Sequence, residues 1–269
     1  MLKGLSEEDF VTLRTPFESG RQSQTNLGRL LLFSAPFQAL LFVLIYYTIG
    51  YDTTYPYKDM IFTVHLIITS IVILLSIVYG LSPVYKRGQK MQYFISILIS
   101  QWMFGVNFLL GALYLLGASD VFNLEEAPII RITYILIMTG VFIFIVTFVC
   151  LYRLLHQGEY RAGSNKDMWR TKFEKKQLLV PLVIVGTSIS FMVQSMHKSI
   201  GTVDVDVLML LITGPLLFFI MLFILPEQLV LLYCKYHFKS FNYNKEGHLM
   251  LLMKEETIPT ETSSSEEDF

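Results

Sequence analysis

From residue 91 to residue 119 the chain carries no charged side chain. A helix rises about 1.5 Å per residue, so this run is long enough to cross the roughly 30 Å hydrocarbon core of a bilayer. Near its middle stand two amides, Gln101 and Asn107. An amide in hydrocarbon must find a protein partner, because lipid tails neither donate nor accept hydrogen bonds. Ser96, Ser100, Asn107 and Gly111 recur at spacings of four and seven and share one helical stripe. Gln101, Gly105 and Ala112 form a second stripe, about 100° round the helix. Small residues let backbones approach closely and polar ones bridge between helices. The expectation is a helix with protein on two sides, with Ser96, Ser100, Gln101, Gly105, Asn107 and Gly111 as its packing residues.

The rest of the chain repeats this pattern. Of 269 residues 53% are hydrophobic and 16% charged, against about a quarter charged in a typical soluble domain. The charges are segregated into short clusters between long apolar runs, whereas a soluble helical protein would carry a polar face along each helix. The expected fold class is therefore all-α: a polytopic helical membrane protein of about six transmembrane helices. The runs are 28–49, 59–81, 91–118, 129–155, 177–196 and 206–225. Glu7, Glu8 and Asp9 precede the first run, the wrong charge pattern for a cleaved signal peptide, so that run is expected to remain as a span. Of the 21 Lys and Arg residues, only Lys58, Arg131 and Lys198 fall in one of the two sets of loops. By the positive-inside rule both termini are then cytoplasmic, in a plasma (inner) membrane.

Three regions follow from this reading. Residues 1–27 form a cytoplasmic segment, weighed between an interfacial helix and a loose tail. Residues 28–234 form the membrane domain. Residues 235–269 form a cytoplasmic tail, acidic and Ser/Thr-rich towards its end and expected to be disordered from about 255. The longest connection between spans, 153–176, is cytoplasmic and net basic. In it Lys166, Trp169, Arg170, Phe173, Lys175 and Lys176 combine cations with an aromatic pair four residues apart, a pattern suited to an anionic lipid surface. The same charges also serve simply to fix topology.

Chemistry is harder to find. No Asp, Glu, Lys or Arg lies in the middle of a span, and His65, in the outer third of the second run, is the nearest exception. Gln194 is one residue able to satisfy it. The sequence holds no HExxH, phosphate-loop or GxSxG motif, and the two cysteines, Cys150 and Cys234, have no ligand spacing. Glu125-Glu126 with Arg131 resembles the EExxxR motif of CAAX-type membrane proteases. It is one residue too long and lacks the companion histidine motif, so no catalytic, cofactor-binding or metal residue is assigned and no cofactor is expected. The expected partners are the lipid bilayer and proteins in the membrane or at its cytoplasmic face. Nucleic acid is not among them, since the nearby membrane accounts for the basic loop. The function expected is a non-enzymatic integral subunit of a larger membrane assembly for secretion, export or the envelope. The alternative is the permease subunit of a transporter energised by a separate ATPase.

Overall fold

The computed structural model describes residues 4–118, 125–164, 168, 205–244 and 246–252. Among these residues the protein is helical, apart from one isolated antiparallel bridge between Tyr243 and Leu249. Five helices are long and apolar enough to cross a membrane, which makes this a membrane protein. They are α1 (Gln24–Ile49), α2 (Lys58–Gly80), α3 (Gln89–Ala118), α4 (Glu126–His156) and α5 (Val205–His237). The expected span 177–196 and the lipid-surface set Lys166, Trp169, Arg170, Phe173, Lys175 and Lys176 lie outside the described residues.

Local sequence sets the helix ends. Ser23 caps α1 by accepting a hydrogen bond from the Asn26 amide at 3.3 Å. Tyr57 precedes α2 in the left-handed region, at φ 59°. A short helix, Ser82–Arg87, follows α2 with Pro83 in its first turn, where the missing N–H costs nothing. Helix α5 runs through both Pro215 and Pro226 to His237, so residues 227–237 extend the helix past the proline. Two stretches widen into π turns: Leu44–Ile49 at the end of α1 and Gln101–Val106 in the middle of α3.

Helix α3 lies between two neighbourhoods. On one side it meets α1 and α2, and on the other α5, which in turn packs on α4. Close backbone approach is confined to a few glycines. A Cβ at Gly214 of α5 would lie 2.5 Å from the Phe108 carbonyl oxygen and 2.6 Å from Ala112 Cβ of α3. Gly80 of α2 similarly faces Leu32 and the Gly28 carbonyl of α1.

One end of the bundle is closed by the described residues of segments 4–22 and 238–252. Phe10, Leu13 and Phe17, from a 3₁₀ helix (Glu7–Arg14) and the turn after it, are buried against Tyr93, Leu155, Val230, Phe241 and Tyr243. Asp9 joins this end to the segment after α4 through Arg161, with Nε 2.6 Å from Oδ1. Lys235 is 2% exposed. Its ammonium donates to the Phe241 carbonyl at 2.9 Å and sits 4.4 Å from the centre of the Phe17 ring, with Tyr93 and Tyr243 each at 5.5 Å. Aromatic faces are a substitute for water around a buried cation.

Candidate functional site

Buried polar side chains from α1, α2 and α3 meet at His65. A histidine on an apolar helix must satisfy two ring nitrogens, and here two neighbouring helices each satisfy one. Nε2 lies 2.7 Å from Asn107 Oδ1 of α3, and Nδ1 lies 3.0 Å from the Tyr46 hydroxyl of α1. An amide oxygen only accepts, so Nε2 carries the proton and Nδ1 of the neutral ring accepts from Tyr46. His65, Asn107 and Tyr46 are all buried.

Aromatic rings wall the node. Trp102, Phe42 and Tyr46 have their ring centres 5.2, 5.3 and 5.5 Å from that of His65. The Trp102 indole N–H donates to Thr69, one turn beyond His65 on α2, at 3.1 Å. Phe62 and Tyr114 meet Tyr46 edge-on. Tyr46 and Trp102 belong to the two π segments, and Asn107 is the first residue after the second. Such turns are rare and concentrate at functional sites. The Asn107 amide nitrogen finds no hydrogen-bond partner among the described residues.

The other packing residues divide between neighbours. Gly111 faces Ile45 and Ile49 of α1, on the side where Asn107 reaches α2. Gln101 donates to the Met221 carbonyl at 3.0 Å and lies 3.3 Å from Gln228 Oε1, both on α5, and Gly105 faces Met221 and Phe218 of the same helix. Ser96 and Ser100 donate back to Tyr93 and Ile97 in their own helix and bridge to no other helix among the described residues. The six residues therefore share a helix but not a site.

Three participants carry no sequence signal of their own: Tyr46 stands near the end of a span, where tyrosines are common, and Trp102 and Thr69 belong to no motif. The available signal was the i, i+4 pair His65 and Thr69, which puts two polar side chains on one face of α2. Gln194, named above as one residue able to satisfy His65, lies outside the described residues. A second link, with Gln38 Nε2 3.3 Å from Ser76 and 3.4 Å from Ser34, ties α1 to α2 one layer away. No group of three His, Cys, Asp or Glu side chains placed to hold a metal occurs among the described residues.

Fold and site together define the class: a helical membrane protein whose central helices are tied by buried polar side chains. No protein-family model matches the chain, and no curated protein or solved structure matches it either.

Proposed function

We propose that this protein is a non-enzymatic integral subunit of a larger assembly in the plasma (inner) membrane, serving secretion, export or the envelope, with both termini cytoplasmic. The observation that supports this reading is the closure of the His65 node. Both ring nitrogens are occupied by side chains of the same bundle, and the node is walled by rings. A histidine so engaged holds helices together and offers no free nitrogen to a substrate. Orientation rests on charge: Lys86, Arg87 and Lys90 lie at the end of the bundle where the terminal segments pack, the end the positive-inside rule assigns to the cytoplasm.

Purification from native membranes in a mild detergent tests it. The subunit reading expects a stoichiometric membrane partner that survives gel filtration. If the chain instead elutes alone and transports or turns over a substrate after reconstitution, the reading is wrong. Co-purification of an ATPase that is lost on deleting the loop 153–176 would favour the permease alternative.

A further inference from the structure

At the end of the bundle closed by segments 4–22 and 238–252, α1 and the short helix Ser82–Arg87 present matching faces. Thr25 and Arg29 are four apart on α1, and Ser82 and Lys86 are four apart on the short helix, so each pair puts a hydroxyl and a cation on one face. All four side chains are exposed. Between them stands Tyr85, whose ring is fixed by the glycine below it: a Cβ at Gly28 would lie 2.8 Å from Tyr85 Cε1. The Ser82 hydroxyl is 3.5 Å from the Tyr85 oxygen. That hydroxyl, against the opposing effect of burial, and then Thr25, Lys86 and Arg29, hold the Tyr85 phenol below its ordinary value. All four side chains thus act on one point, and no carboxylate pairs with Arg29 or Lys86 among the described residues.

The Arg29 face continues into the membrane as apolar surface. Leu32 and Phe33, one turn on, are 41% and 72% exposed. Two cations and three hydroxyls at the end of a spanning helix, above an exposed apolar stripe, match a phosphate carrying acyl chains. We propose that Arg29, Lys86 and the hydroxyls of Thr25, Ser82 and Tyr85 bind the headgroup phosphate of an anionic phospholipid, whose chains run along Leu32 and Phe33. The anion is singly charged or more: two unpaired cations leave a zwitterionic headgroup, with its own ammonium, poorly matched.

Native mass spectrometry of the full chain, released from nanodiscs of mixed phosphatidylglycerol and phosphatidylcholine, reads the preference directly. The wild type is expected to retain phosphatidylglycerol, and Arg29→Gln with Lys86→Gln is expected to weaken that affinity about 30-fold, from the loss of two cations at the surface. Arg87→Gln, on the same short helix, serves as the charge control and is expected to change it little. Tyr85→Phe keeps the ring on Gly28, removes one hydroxyl, and is expected to weaken binding several-fold without lowering the melting temperature in phosphatidylcholine. Equal retention of both lipids, or an Arg87→Gln loss as large as that of the double variant, overturns the site. Inorganic phosphate stabilising the detergent-solubilised protein as much as phosphatidylglycerol does would overturn the lipid as its occupant.

Discussion

Replacing Asn107 by Leu keeps the side chain's branched four-heavy-atom skeleton while deleting the acceptor 2.7 Å from His65 Nε2. Side-chain hydrogen bonds between membrane helices average about 0.6 kcal/mol and reach about 1.7. This one is short, and its partners are 1% and 3% exposed, so about 1–1.7 kcal/mol is expected for the pair. The single variant under-reports that figure. Leu also removes the Asn107 amide nitrogen, which has no acceptor among the described residues, and so relieves a penalty of order 1 kcal/mol. A double-mutant cycle with His65→Phe cancels such one-sided terms and leaves the coupling. Unfolding in mixed detergent micelles, followed by circular dichroism, supplies the four free energies. Coupling below about 0.3 kcal/mol, which is additivity within error, would show that the two side chains do not hold each other. The companion readout is assembly. If the protein is the assembly subunit proposed above, an Asn107→Leu protein that unfolds early should also lose its partners early. One that assembles normally yet has lost activity would mean that the node works for the reaction and not for cohesion.

At the base of the bundle, burial alone would raise the Asp9 carboxyl, but the Arg161 guanidinium and the Ser6 amide and hydroxyl outweigh it and hold it below the usual carboxylate value. A depressed value stabilises the fold above the unfolded-state value and is lost as pH falls through the folded one, so the melting temperature should drop below about pH 4. Because Arg161 is largely exposed, the effect should stay under about 1 kcal/mol, and Arg161→Gln should flatten that part of the curve. Burial pushes the Tyr243 phenol up to about 12. A raised value gives stability that is intact below the unfolded-state value of about 10 and is lost as pH rises towards 12, so Tyr243→Phe should remove that alkaline loss from a melting series. Gly214→Ala forces a methyl into the Phe108 carbonyl oxygen, 2.5 Å away, and should destabilise by about 1–3 kcal/mol in the same micelle titration. Gly4→Ala, which meets nothing within 4 Å, should be neutral.

What the sequence displayed, and what it hid, follows one physical line. The helical membrane class was legible because it depends on run length and charge segregation, which are properties of consecutive residues. Pairing is not such a property. His65 and Asn107 were each visible as polar exceptions, yet they stand 42 residues apart, and nothing along the chain says which exception meets which. Tyr46 was concealed by its position: a tyrosine near the end of a span is what an aromatic belt provides anyway. Lys235 was counted among the charges that set topology. It is in fact enclosed by Phe17, Tyr93 and Tyr243, because the terminal segments fold back over it, a tertiary event with no local signature.

The two sides of α3 differ in how closely the helices approach, and that difference decides how the bundle can move. Towards α5 the Gly214 backbone lies directly against the Phe108 carbonyl and Ala112, and Gln101 adds hydrogen bonds to the Met221 carbonyl and Gln228, so any separation loses close contact and hydrogen bonds at once. Towards α1 and α2 the link runs through Asn107, His65 and Tyr46, long side chains whose hydrogen bonds tolerate small rotations before they break. The π turn of α1 carries Tyr46 on this side, whereas the π turn of α3 serves both sides, its Trp102 reaching Thr69 of α2 and its Gln101 and Gly105 facing α5. Helices α3 and α5 should therefore behave as one body, and any displacement within the described bundle should occur between that body and the α1–α2 pair. Spin labels should then keep a fixed distance between α3 and α5 and show their spread between α3 and α2. A broad α3–α5 distance distribution beside a narrow α3–α2 one would reverse the assignment.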